Sequence, residues 1–328
     1  MKLGVLGAGA WGTAFSLAQC GRHRTALWTW DAAHCAAMRA TRENHFLSGF
    51  PLPESVALEH DLAAVTADAD LLVVATPTAA LRGVLGRVAG SGRVPPVIWL
   101  CKGFEPETAS FPHQVALEVL PDAVPRGALS GPSFAEEVAR GLPAAITLAS
   151  PDAAFAERLA RELHGPRLRV YSSSDLTGVE VGGAVKNVMA IAAGVCDGMG
   201  FGLSARAALM TRGLAEITRL GLALGGRLET FIGLSGAGDL ILTCTGDLSR
   251  NRRVGLALAR GERLPDILAG LGHVAEGVGT AREVRRLASR LSIDMPITEA
   301  VCRLLDGDMT PGDAVESLMR RDAKPETP

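Results

Sequence analysis

Lys2-Leu3-Gly4-Val5-Leu6-Gly7-Ala8-Gly9-Ala10-Trp11-Gly12 decides the fold of this chain. Lys2 to Leu6 reads as a short apolar strand, and Thr13 to Cys20 continues as an apolar helix. Between them Gly7, Gly9 and Gly12 form G-x-G-x-x-G, and the order strand, glycines, helix gives the motif its content. Gly7 allows a tight turn. Gly9 lets a pyrophosphate approach the backbone, and Gly12 lets the helix pack on the strand. The helix N-terminus adds N–H groups and a favourable dipole for phosphate. Dinucleotide binding is the expectation; an apolar turn in a generic α/β protein is the alternative.

Leu3 to Gly21 also runs without a charge, so it could pass for a leader or a membrane span. Gly4, Gly7, Gly9, Gly12 and Gly21 would weaken such a helix, and nucleotide binding accounts for the glycines better. Downstream, Thr25 to Trp30 is the expected second strand, whose end meets the adenosine ribose. Asp31 there could accept hydrogen bonds from a 2′-hydroxyl, favouring NAD, or be the N-cap of a helix at 32–40. Arg22, Arg24, Arg39 and Arg42 are near enough in sequence to hold a 2′-phosphate instead, so NAD and NADP both stay open. Further strands are expected at 69–75, 96–100, 144–149 and 168–171, with a Pro/Gly loop at 45–53 and an amphipathic piece at 61–67.

The expected fold class is an α/β Rossmann N-terminal domain (residues 1–177) followed by an all-α C-terminal domain (178–328). Length agrees, since 328 residues suggest two domains. Charge is balanced at −2, so no broad basic field points to nucleic acid or an acidic membrane. The six cysteines show no CxxC and no metal spacing with the seven histidines; scattered thiols suggest a reducing cytoplasm.

In the expected helical half, Val179 to Asp197 reads as one apolar helix with Lys186 in its interior. The chain has only four lysines, Lys2, Lys102, Lys186 and Lys324, so nearly all of its 33 basic residues are Arg. Arg cannot give up a proton in a protein, whereas a partly buried Lys can be tuned toward neutral pH. Lys186 is therefore an acid/base candidate, or else a lysine snorkelling from a helix flank. Lys102 ends the strand at 96–100, where open α/β sheets bind ligands; a surface loop is its plainer reading. Gly131-Pro132-Ser133 precedes a helix and offers N–H groups and a hydroxyl, or simply an N-cap. Gly233 to Gly238 looks like a phosphate loop but lacks a preceding strand. Close backbone packing that presents Asp239 explains it better. Ser249-Arg250-Asn251-Arg252-Arg253 offers donors suited to a small phosphate, or a solvated helix start.

Taken together, GAGAWGT (7–13), CKG (101–103), GPSFAEE (131–137), VGGAVKNVMAIAAG (181–194), SGAGDL (235–240) with TC (243–244), SRNRR (249–253) and AEGV (275–278) resemble the bacterial glycerol-3-phosphate dehydrogenase family. The resemblance spans most of the chain. It implies NAD(P)-dependent interconversion of dihydroxyacetone phosphate and sn-glycerol 3-phosphate, supply of phospholipid backbone, and an active site in a cleft between the two domains. By position it makes Lys186 the proton donor/acceptor, with Lys102 and Asp239 completing the catalytic set. Lys102, Gly131, Ser133, Lys186, Asp239, Thr243 and Ser249 would contact substrate, and Arg250 and Asn251 would hold its phosphate. Gly7, Gly9, Ala10, Trp11, Gly12, Trp30, Lys102, Ala135, Arg250, Val274 and Glu276 would contact the cofactor. NADP-preferring members tend to carry His or Arg where this chain has Trp30, which puts strict NADP preference in doubt.

No metal is implied. The partner is a small phosphorylated three-carbon substrate, and a homodimer is one assembly open to the chain. A β-hydroxyacid-type dehydrogenase is a rival reading. Those enzymes place Asn one turn after the helix Lys, whereas here Asn187 follows directly and Ala190 is four on. A non-catalytic dinucleotide sensor would keep the glycine turn but not need Lys102, Lys186 and Arg250 together.

Overall fold

The structure is a computed structural model and describes residues 1–106, 108–271 and 275–322. Apolar runs bounded by turn residues become eight strands: β1 (Lys2–Leu6), β2 (Arg24–Trp28), β3 (Val56–Glu59), β4 (Leu71–Val74), β5 (Val97–Trp99), β6 (Arg126–Ser130), β7 (Ala144–Ala149) and β8 (Leu168–Ser173). They form one sheet in the order β3-β2-β1-β4-β5-β6-β7-β8. Every neighbouring pair is parallel except β6 with β7. Gly4 of β1 faces Ala26 of β2 on one side and Leu72 of β4 on the other. The strand order therefore reverses at β1, and ligands of such sheets lie off the carboxyl ends of the strands at that point.

Successive residues point to opposite faces of a strand. Val5, Leu27, Val73 and Ile98 accordingly enter one buried cluster, and Leu6, Trp28, Leu72 and Trp99 another. The second strand stops at Trp28 rather than Trp30, because Asp31 accepts from the N–H groups of Ala33 and His34 and opens the helix Ala32–Thr41. β3 escapes sequence reading, being four residues with alternating burial.

The chain divides into two compact units: Met1–Gly183 with Gly225–Asp239, and Ala184–Leu224 with Leu240 onward. The buried Asp175 explains why 225–239 belongs to the first unit. Its Oδ2 accepts from Arg227 N at 2.8 Å and Thr230 Oγ1 at 2.6 Å, while Oδ1 accepts from Gly178 N at 2.8 Å. Among the described residues no strand follows Ser173.

The second unit is helical. It is built from the later part of Leu176–Gly198, then Gly202–Ala223, Arg250–Ala259, Leu264–Leu271, Glu276–Arg290, Pro296–Asp306 and Pro311–Met319. Glycines bring its helices close: a Cβ on Gly255 would lie 2.0 Å from Ile191 O, and one on Gly194 2.1 Å from Arg252 O. Leu176–Gly198 is long and apolar enough to cross a membrane by composition, but 94% of its most apolar window is buried inside the protein, as a core helix is.

Candidate active site

The glycine turn has the shape its spacing implies. Gly7 sits at φ 121°, and a Cβ there would meet Ala75 C at 2.8 Å. A Cβ on Gly12 would lie 1.9 Å from Gly7 O, so helix Ala10–Gln19 packs on the turn only without one. Gly9 is different: nothing lies within 4 Å of the position a Cβ would take. Gly9 is also the N-cap of that helix, with no side-chain capping bond. Open space before first-turn N–H groups fits a pyrophosphate. Asn44, fully buried and unremarked in the sequence, pins the turn. Its Nδ2 donates to Ala8 O at 2.9 Å and Thr13 Oγ1 at 2.7 Å, and its Oδ1 accepts from Phe46 N at 3.0 Å.

Trp11 Nε1 donates to Ser133 O at 3.2 Å, bringing the Gly131–Ala135 segment beside the glycine turn. Gly131 has φ 140°, and Ser133 Oγ donates to its carbonyl at 3.1 Å. Ala135 opens the short helix Ala135–Ala139. Trp30 stands 79% exposed just past β2.

Lys102 follows β5 in the same unit. Its Nζ donates to Asp239 Oδ2 at 2.7 Å, the lysine side chain being 17% exposed and the aspartate 1%. Thr78 Oγ1 donates to Lys102 O at 3.0 Å and holds the loop. A Cβ on Gly183 would lie 2.8 Å from Ser130 Oγ, so the absent methyl leaves room for that hydroxyl, with the Lys102 stem at an ordinary contact distance of 3.5 Å. Asp239 comes after a π-helical turn, Leu234–Gly238, in which a Cβ on Gly236 would fall 2.0 Å from Phe231 O. These glycines serve backbone packing.

The second unit holds the other set. Lys186, 7% exposed, donates through Nζ to Thr243 Oγ1 at 3.0 Å, and its chain neighbours Val185, Val188 and Met189 are buried as well. The adjacent Cys244 thiol is pushed up to about 12 by burial, with the Lys186 charge pulling the other way, so it stays protonated at neutral pH. Ser249 is the N-cap of Arg250–Ala259, accepting from Arg252 N at 3.2 Å. Arg250 is exposed. Asn251 Oδ1 accepts from Gly277 N at 3.0 Å, which brings the SRN segment against Glu276, the first residue of the next helix but one. Val274 lies outside the described residues.

Arg252 was not singled out by sequence, where it looks like its neighbours. It donates to Asp197 Oδ2 from Nε at 3.0 Å and Nη2 at 2.8 Å, and Arg206 joins at 3.0 Å. The start of its helix is thereby fixed on the helix that carries Lys186.

A G-x-G-x-x-G turn at the switch point of a mostly parallel sheet defines the class: an α/β protein of the dinucleotide-binding kind, here joined to a helical unit bearing a buried lysine. The N-terminal region of the NAD-dependent glycerol-3-phosphate dehydrogenases matches residues 2–156, and their C-terminal region residues 175–316. The chain belongs to the NAD-dependent glycerol-3-phosphate dehydrogenase family. It is 60% identical over 331 residues to glycerol-3-phosphate dehydrogenase [NAD(P)+] of Nitrosospira multiformis, covering 99% of each chain. To the Dechloromonas aromatica protein of that name it is 62% identical over 327 residues, again covering 99% of each. The crystal structure of glycerol-3-phosphate dehydrogenase from Coxiella burnetii superposes with a TM-score of 0.93 at 39% identity, covering 98% of this chain and 99% of that one.

Proposed function

We propose that this chain interconverts dihydroxyacetone phosphate and sn-glycerol 3-phosphate with NAD(H) or NADP(H), residues 1–177 chiefly binding the dinucleotide and residues 178–328 the substrate. The observation that carries this reading is the pair of sequestered amines, Lys102 on Asp239 and Lys186 on Thr243, in a chain with only two other lysines. When bound, the reduced nicotinamide supplies the hydride to C2 of the ketone. As negative charge builds on the carbonyl oxygen, the Lys186 ammonium stabilises it and donates the proton; in reverse a neutral Lys186 takes the hydroxyl proton. Thr243 Oγ1, accepting from Nζ, sets the direction of the amine. Asp239 orients Lys102, which contacts substrate and cofactor. Asn251 spends its Oδ1 on Gly277, leaving Nδ2 as a donor, and with Arg250 it holds the substrate phosphate.

Loss of NADH or NADPH absorbance on adding dihydroxyacetone phosphate tests the reaction; a chain that oxidises neither cofactor with this ketone refutes it. Arg250→Ala should raise the substrate KM at least tenfold, about 1.4 kcal/mol. An unchanged KM places the phosphate elsewhere. The same proposal assigns the enzyme to the cytoplasm, in keeping with the buried thiols of Cys35, Cys196, Cys244 and Cys302. It also gives it a role in phospholipid supply and a homodimeric assembly, which light scattering checks.

A further inference from the structure

We infer that the adenosine end of the cofactor site is built for an unphosphorylated ribose, so that this enzyme uses NADH in preference to NADPH. The inference rests on the dinucleotide reading above and names the cofactor that reading leaves open.

A 2′-phosphate needs a cation or unspent N–H donors beside it. The adenosine ribose of a G-x-G-x-x-G fold lies at the carboxyl end of the second strand, here Thr29-Trp30-Asp31. The arginines near this point in the sequence lie at the far end of the strand or are engaged elsewhere. Arg24 is the first residue of β2, at the amino end of that strand, and its backbone N–H bonds Met1 O. Arg22 lies two residues before the strand, at the same amino end. Arg39 donates through Nε to Leu58 O at 2.8 Å and through Nη2 to Glu59 at 2.9 Å. Arg42 donates to the carbonyls of Leu52, Pro53 and Val56. Arg87 rests over the buried Trp28 indole, 5.5 Å from its centroid.

The histidines add little. His34 shares a hydrogen bond with Asn44 at 3.1 Å, and burial pulls its pKa below the usual value, so it is neutral at pH 7. His45 packs against His34 and Phe46, and His60 follows β3.

The helix N-terminus is also spent. Asp31 Oδ1 accepts from Ala33 N at 2.8 Å and His34 N at 3.1 Å, the donors a phosphate would otherwise use. Its other oxygen points the site toward hydroxyl donors, and its charge opposes a phosphate. Trp30, 79% exposed, offers an aromatic face for adenine and no charge.

Titration of the full-length protein with NADH and with NADPH, followed by nucleotide fluorescence, reads the preference without turnover. NADH should bind about tenfold more tightly or better, and kcat/KM with dihydroxyacetone phosphate should follow. Asp31→Asn keeps a capping oxygen and removes the charge, so NADPH should tighten several-fold while NADH weakens. Trp30→Arg supplies the missing cation and should tighten NADPH by about tenfold. Equal or tighter NADPH binding by the unmodified chain, no binding of either nucleotide, or an Asp31→Asn variant with unaltered preference overturns the inference. Preferential NADH binding without reduction of the ketone would sink the proposed reaction and leave the cofactor preference standing.

Discussion

Lys102 and Lys186 are both sequestered amines, yet the protein treats them differently. Lys102 faces a carboxylate that is almost wholly buried, so its charge is matched within its own unit. Lys186, on a buried stretch of helix, donates to the Thr243 hydroxyl, which directs the amine. A carboxylate partner favours the charged form of an amine, and a hydroxyl partner fixes its direction.

The contrast breaks most visibly in turnover. Lys186→Ala should lower kcat by about 10²–10⁴-fold while NADH affinity persists; near-normal turnover would end its assignment as proton donor. A buried acid of the helical unit sharpens the point next. Glu216 caps helix Pro296–Asp306, accepting from Ile297 N, Thr298 N and Thr298 Oγ1, and burial pushes its carboxyl up to about 7. The folded pKa exceeds the unfolded one, so stability is fully present below the usual carboxyl value near 4.5 and drains as pH rises toward 7. The loss is about 3 kcal/mol from this group. Denaturant melts of Glu216→Gln across that window should show a flatter pH dependence.

Lys102→Ala comes third. It removes a hydrogen-bonded cation from a carboxylate that is 1% exposed, and should cost about 2 kcal/mol of stability. Lys186→Ala takes a donor from the buried Thr243 hydroxyl and should also lower Tm. Smallest is Gly183→Ala, whose methyl must push Ser130 Oγ away beside the Lys102 stem. About 1 kcal/mol of strain is expected, with the substrate KM moving more than kcat.

What the sequence revealed were the features whose partners are close along the chain, or whose residue type is scarce. The G-x-G-x-x-G turn is local, since strand, turn and helix fit within twenty residues, and its glycines are needed where they stand. Lys186 and Lys102 stood out because lysine is rare here. Asn44 was missed because the turn it pins lies 36 residues away at Ala8. Arg252 was missed because Asp197 is 55 residues back, and nothing in SRNRR distinguishes the arginine that clamps from those that do not. Two glycine-rich stretches that look alike in sequence parted in the structure: Gly9 opens onto empty space, while Gly236 backs onto Phe231.

The Asp175 clamp bears on the order in which the protein is made. Its partners, Arg227 and Thr230, are more than fifty residues downstream, beyond a segment of the other unit. A ribosome that has delivered residues 1–183 has supplied every strand of the sheet, but not the backbone that satisfies this buried carboxylate. At ordinary elongation speeds of about 5–20 residues per second, the nascent sheet waits seconds for the strap that closes it. Neither unit can be cut from the gene as one contiguous piece.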